Sequence, residues 1–250
     1  MIDHETLRND LTRLINLILY SASGNKACDP IESRDGLLQI EGVTWDSISS
    51  VGEAGTATYP TLAAIFRSWY RLAETTLPLQ DYISSGTLDN AFWRTLCMDY
   101  AQTSDKRTER SKENRLAAYD RWWQLLKIHT CDSEVGMARN GTFILNISKS
   151  KGVLDFDFCV MTSTWNRRFF ISEKGYIGLA PSNAAPGDKI AVLFGGKVPY
   201  VLRRNEPASS GTSDTTWTFL GDSYVHGIMD GEVIESLERG EVMKELITLK

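Results

Sequence analysis

The residues best equipped for chemistry gather around one histidine. His226 is flanked by Asp222, Tyr224 and Asp230. An imidazole with carboxylates in reach can take a proton near neutral pH, the work of a general base. The same ring can equally be an architectural group, its nitrogens bonded to backbone carbonyls and a carboxylate, as buried polar atoms are as a rule satisfied. The architectural reading is preferred because no nucleophile accompanies the ring. The chain has no Gly-x-Ser-x-Gly elbow, and Cys159 sits in an apolar run where a buried thiol is inert. A hydrolase using His226 with Asp222 or Asp230 is the alternative.

Other motifs carry less. His4, His129 and His226 are isolated, and no pair has the i, i+4 or C-x-x-C spacing of a zinc site; His129 near Cys131 is the nearest approach. Gly195-Gly196-Lys197 lacks the longer spacing of a phosphate loop and runs into Val198-Pro199-Tyr200, which reads as a hairpin turn entering a strand. No catalytic residue, metal or cofactor is assigned.

Arg167-Arg168 and Arg203-Arg204, interleaved with Phe169, Phe170 and Tyr200, have the makings of a basic and aromatic surface for single-stranded nucleic acid or an acidic peptide. Strand alternation places one arginine of each pair on each face, so only half can join a patch. Pairing with Glu173, Asp188, Asp222 or Asp230 is the preferred use. The candidate binding surface is therefore His226, Tyr224, Arg203, Arg168, Asp222 and Asp230.

Composition narrows the class. The 250 residues are 42% hydrophobic and 24% charged, as in an ordinary globular protein, and 27 Lys plus Arg against 32 Asp plus Glu leave a formal charge of -5. That balance repels a phosphate backbone and counts against nucleic-acid binding. No apolar run approaches the roughly 20 residues that span a bilayer. Four cysteines are dispersed and no leader-like segment opens the chain, so a cytoplasmic, reducing location is expected and the sequons at Asn140 and Asn146 are expected to be idle.

The elements that must position these residues follow from periodicity. Apolar residues at three- and four-residue spacing predict helices over Leu7–Tyr20, from Pro60 through Leu72, over Thr87–Tyr100 with Thr87 or Asp89 as cap, and from Leu116 through Lys127. Leu37–Val43 reads as a strand. Thr103–Asn114, polar and without apolar anchors, is expected to be a mobile loop. After about residue 140 a two-residue period predicts strands at Phe143–Leu145, Phe156–Phe158, Arg168–Ile171, Lys189–Phe194 and Tyr200–Leu202, punctuated by glycine turns. Ser209–Asp214 is a polar hairpin tip. A helix from about Gly231 to Leu246, capped by Asp230, ends the chain.

One run is far more specific than any of these signals. It begins Arg167-Arg168-Phe169-Phe170-Ile171-Ser172-Glu173-Lys174-Gly175-Tyr176-Ile177-Gly178-Leu179-Ala180-Pro181, passes through Pro186-Gly187-Asp188 and Leu193–Arg204, and closes with Tyr224-Val225-His226-Gly227-Ile228-Met229-Asp230-Gly231-Glu232. It resembles the carboxy-terminal part of fungal heterokaryon-incompatibility (HET) proteins. Echoes of that family recur in Tyr20-Ser21-Ala22-Ser23-Gly24, Leu38–Val43 with Asp46-Ser47-Ile48, and Phe92–Leu96, so that the resemblance covers about Leu17 to Glu235. Family members usually begin with a TIR-like HET domain, whose Trp-x-Asp-x-x-Cys-Ile-Asn-Gln-like string is not found here. The resemblance implies a downstream recognition or regulatory part of a self/non-self system, with a protein partner or a HET-type effector domain, and does not carry over the cell-death role.

The expected architecture is thus α+β. A mainly helical region over 1–135 is followed by a small antiparallel β-barrel or bent sheet within 136–250, closed by a carboxy-terminal helix.

Overall fold

The computed structural model describes residues 16, 18–28, 37–55, 59–79, 82–83, 86–102, 108–111, 116–128, 151–206 and 215–250. Two compact units emerge, and each is discontinuous in sequence. The first comprises 1–19 and 52–169, the second 20–51 and 170–250. The elements are β1 (Leu38–Ala54), α1 (Tyr59–Thr76), α2 (Leu88–Leu96), β2 (Tyr100–Gln102), β3 (Thr108–Arg110), α3 (Leu116–Ile128), α4 (Lys151–Thr164), β4 (Arg167–Ser172), β5 (Ile177–Pro181), β6 (Lys189–Leu193), β7 (Tyr200–Arg204), β8 (Thr216–Asp222), β9 (Tyr224–Val225), α5 (Glu232–Glu238) and β10 (Glu245–Leu249).

The first unit is built on aromatic packing. Helix α2 starts as its sequence dictates, with the Thr87 hydroxyl accepting from the Asn90 amide at 3.2 Å. Its Phe92 meets Phe169 edge-on at 5.7 Å, and Trp122 of α3 packs between Phe66 at 5.7 Å and Phe156 at 5.4 Å. These rings are fully buried, and such edge-on pairs add to the gain from burial alone. The Trp122 indole donates to the Asp157 carboxylate of α4 at 2.7 Å, so the polar edge of the ring is satisfied inside the core.

The second unit is organised by β1. This strand pairs antiparallel with β10 through Leu38–Gly42 and with β6 through Gly42–Ser47. Strand β6 continues to β7, β7 to β8, and β8 to β10, the last pair parallel. The pairings β1–β6–β7–β8–β10 thereby return to β1 as a circuit, while β4, β5 and β9 extend from its other side.

Alternation along β6 serves two cores. Ala191 and Leu193 join Leu202, Ile247, Ile40, Tyr200 and Leu249 inside the circuit. Ile190 and Val192 face a larger cluster with Val43, Phe170, Val201, Val225, Ile228 and Val233. Gly42 is the hinge of this arrangement, because a Cβ there would lie 2.7 Å from the Val192 carbonyl oxygen and 3.2 Å from the Ile247 Cδ1. Only glycine lets β10 and β6 approach β1 at the same residue.

Several expectations are corrected. A mainly helical amino-terminal half is not supported: among its described residues the three helices share the sequence with β1, a 17-residue strand, and with the β2–β3 hairpin. The strand expected over Leu37–Val43 runs on to Ala54, across a bulge between Thr44 and Asp46, with the Ser49 hydroxyl donating to the Ile171 carbonyl at 2.9 Å. Part of the Thr103–Asn114 segment is a strand, since Thr108–Arg110 pairs with Tyr100–Gln102; 103–107 and 112–114 lie outside the described residues.

Phe156-Asp157-Phe158 is helical, within α4. Its apparent alternation misleads because Asp157 is buried on the Trp122 indole while Phe158 is 47% exposed. The terminal helix is short, seven residues, ending at Gly240 in the left-handed region, where the Glu241 amide closes back on the Ser236 carbonyl at 3.0 Å. The expected helical stretch to Leu246 gives way to β10. The segments Leu7–Ile15, Phe143–Leu145 and Ser209–Asp214 lie outside the described residues.

Candidate functional site

Strand β9 is only two residues long, and β5 holds it, with Gly178 opposite Val225 and Leu179 opposite Tyr224. A side chain on Gly178 would strike the Tyr224 carbonyl and come within 2.6 Å of the Phe170 ring, so the approach of β9 requires glycine there. The His226 amide then donates to the Ile177 carbonyl at 2.9 Å. Tyr224 is buried, and its hydroxyl shares a hydrogen bond of 3.0 Å with His226 Nδ1, either partner donating according to the imidazole tautomer. The structure thus brings Tyr224 and His226 together, one ring sunk in the core and the other half-buried.

The rest of the string is a docked turn. The Val225 amide donates to the Met229 sulfur at 3.3 Å, Ile228 and Met229 are buried, and Gly227 and Gly231 take φ of 100° and 108°. The Ser21–Gly24 loop clamps it: the Ser21 amide donates to the Met229 carbonyl at 3.0 Å, and a Cβ on Gly231 would sit 3.7 Å from the Gly24 Cα. Ala22 and Ser23 amides donate in turn to the Lys197 and Gly196 carbonyls, at 3.0 and 3.3 Å. Three stretches of the sequence run therefore meet through main-chain bonds. Sequence reasoning noted the Ser21–Gly24 echo but missed this contact; the shared glycines were the available signal.

The remaining candidates separate. Arg203 grips Asp188 with two bonds, Nε to Oδ1 at 2.8 Å and an Nη to Oδ2 at 2.7 Å, and donates to the Asn183 carbonyl at 2.8 Å. Asp188 is 4% exposed, and its Oδ2 also accepts from the Ala185 amide at 2.7 Å. The hydrogen bond to Asp188 pushes the guanidinium pKa upward. Arg203 is thus a strut between β7 and the turn before β6, the pairing use that the sequence favoured.

Asp222 ends β8 opposite Tyr200, whose phenol is pushed up by burial and then by the Asp222 charge. Asp230 is exposed and does not cap α5. Gly231 occupies the cap position without a side-chain bond, and the Asp230 amide donates to the Glu232 carboxylate at 2.8 Å. Arg168 belongs to the first unit, where its Nε donates to the Gly52 carbonyl at 3.0 Å.

Among the described residues, no three or more His, Cys, Asp or Glu side chains converge as metal ligands, and no helix is long and apolar enough to cross a membrane.

A strand circuit whose signature turn is clamped by main-chain bonds defines a β-barrel class of domain. Residues 36–244 match the Het-6 beta-barrel domain family, and the chain belongs to it. Among individual proteins it is similar to heterokaryon incompatibility protein 6, OR allele, of Neurospora crassa, with 27% identity over 175 residues. That match takes in 63% of this chain and spans 24% of the relative's length. No solved structure matches significantly.

Proposed function

We propose that this chain is a non-enzymatic recognition or regulatory module of fungal allorecognition, acting on a protein partner or small ligand through the surface of the second unit that carries His226, Tyr224, Asp222, Asp230 and Arg203. The observation that carries the reading is the Tyr224–His226 bond. A general base is commonly oriented by a carboxylate that stabilises the imidazolium, whereas Nδ1 here meets the hydroxyl of the buried Tyr224. Asp230 is exposed and the Arg203 side chain is 41% exposed, which places both on the surface of this unit. Family membership supports the allorecognition setting.

The test is a fungal fusion assay between strains carrying the wild-type gene and strains carrying His226→Gln or Asp230→Lys. A changed compatibility outcome with unchanged protein level and folding supports recognition. A purified chain that hydrolyses a panel of ester, amide and glycoside substrates, and loses turnover in His226→Gln while folding normally, would install the hydrolase with Asp222 or Asp230 in its place.

A further inference from the structure

Strand β1 breaks its register with β6 at one residue, Trp45, between the pairs Thr44–Ala191 and Asp46–Ile190. A bulge of this kind re-aims a side chain. The Trp45 ring comes to lie beside Tyr176, from the turn between β4 and β5, with centroids 6.1 Å apart and planes inclined by 59°. Both residues are half-buried. Two aromatic faces set at an angle make a corner.

That corner holds a cation. The ammonium of the exposed Lys174 lies 3.8 Å from the Trp45 ring centroid and donates to the Trp45 carbonyl at 2.7 Å. The turn that delivers it is tied down through its main chain, the Lys174 amide donating to Asp46 Oδ2 at 3.2 Å and the Tyr176 amide to Ser172 Oγ at 2.9 Å. Carboxylates stand close by: after burial, it is the charges of Asp46 and Glu232 that raise the Tyr176 pKa. Glu232 in turn accepts from the Asp230 amide at 2.8 Å, so the corner borders the surface assigned above to partner binding. The neighbouring Lys189 ammonium is engaged elsewhere, on Ser47 Oγ at 2.6 Å.

The use of tryptophan has a chemical reason. Trp45 Nε1 is buried without an acceptor, a cost that phenylalanine in the same place would avoid. What indole offers in return is the best aromatic face for a cation. Lys174 itself is held lightly, because an exposed ammonium on a ring gains little over its hydration. The corner is thus suited to an ammonium, and its occupant is exchangeable.

We propose that the Trp45–Tyr176 corner seats a lysine ammonium presented by the protein partner, and that Lys174 occupies it in the free chain as an internal competitor. This deepens the recognition reading above and rests on it for the partner; the ammonium seat is a property of this chain alone.

The experiment follows indole and backbone amide signals of the isotope-labelled full chain by NMR during titration with n-butylammonium, n-butanol or butyrate. The Trp45 indole signal is assigned by its loss in Trp45→Phe. Lys174→Ala should bind butylammonium with a Kd about tenfold lower than wild type, shifting the Trp45 indole and the Tyr176 amide. Butanol should bind about tenfold more weakly than butylammonium, and butyrate should leave both signals in place. In the Lys174→Ala background, Trp45→Leu, checked for folding by circular dichroism, should abolish the shift at Tyr176, and the conservative Trp45→Phe should weaken it. A Gly-Lys-Gly peptide blocked at both ends should act as butylammonium does, and its Nε-acetylated form should not.

A Lys174→Ala chain that gives no saturable response to butylammonium, or responds equally to butanol, overturns the proposal. So does equal affinity in wild type and Lys174→Ala, which would remove Lys174 from the seat. A failed titration leaves the fusion assay untouched. A compatibility outcome indifferent to His226 and Asp230 leaves the ammonium seat without its partner, so the two readings fail separately.

Discussion

Arg203 holds Asp188 through a two-pronged bond, Nε to Oδ1 at 2.8 Å and an Nη to Oδ2 at 2.7 Å, across the β6–β7 edge of the circuit. The acid is almost fully buried while the arginine side chain is 41% exposed, so removing the arginine strands a charge in the protein. Arg203→Met should cost about 2 kcal/mol, after allowance for solvent on the arginine side. Arg203→Lys should cost roughly 1 kcal/mol, because a point charge cannot reproduce the fork. Urea unfolding of the two variants checks both values; equal stability of wild type and Arg203→Met would remove the strut.

Gly42 is the residue at which β1 passes from β10 to β6. Gly42→Ala should destabilise by about 1–3 kcal/mol through the contact with the Val192 carbonyl. Thermal melts followed by tryptophan fluorescence measure it, and a neutral substitution would mean that the circuit has slack there.

Tyr224→Phe deletes a buried hydroxyl and leaves the His226 ring one partner short. A loss of about 1 kcal/mol is expected, together with a changed imidazole signal in the proton NMR spectrum. A spectrum in which the His226 ring protons do not move would disprove the bond.

Asp99 follows Met98 in the left-handed region, with φ of 51° and 49°, and its carboxylate meets Arg94 at 2.6 Å and Arg110 at 3.1 Å. Asp99→Ala should cost about 3 kcal/mol, since it adds backbone strain to two stranded arginines; Asp99→Asn, which tolerates that backbone, should cost less. Burial raises the Asp99 pKa above 3.8 despite the two arginines. The folded chain therefore holds this proton more tightly than the unfolded one, and the contribution of the group to stability declines as pH rises through the window above 3.8. Comparing wild type with Asp99→Asn across that window should show wild type gaining relative stability as the pH is lowered.

Asp157→Ala removes the acceptor of the buried Trp122 indole and should cost about 1–3 kcal/mol. Asp157→Asn, which retains an acceptor, should recover most of it in the same denaturation assay.

The elements that sequence reasoning found are those whose information is local. Helices α1, α2 and α3 announce themselves by apolar spacing, and α2 by Thr87 as well. Turns at Gly175, Gly187 and Gly195 take the positive φ that their neighbours imply. What escaped depends on partners distant in sequence. Asp157 looks like the outward residue of a strand until Trp122 is known to face it, and Glu245-Leu246 look like the end of a helix until β1 is there to pair with them. At the site, the Tyr224–Glu232 string was legible as a unit. Its clamp by Ser21–Gly24 and the choice of Asp188 among four acids for Arg203 were not, because both are settled by tertiary contact.

The last strand has a consequence for biogenesis. The Gln39 side chain donates to the Thr248 hydroxyl across a sequence separation of 209 residues, in the register that joins β1 to β10. During synthesis β1 leaves the ribosome long before its neighbour exists, with Leu38 and Ile40 lacking their cover and a strand edge open to other chains. Ring completion must wait for Glu245–Leu249, so nascent chains stalled or clipped before Glu245 are the ones that should clump.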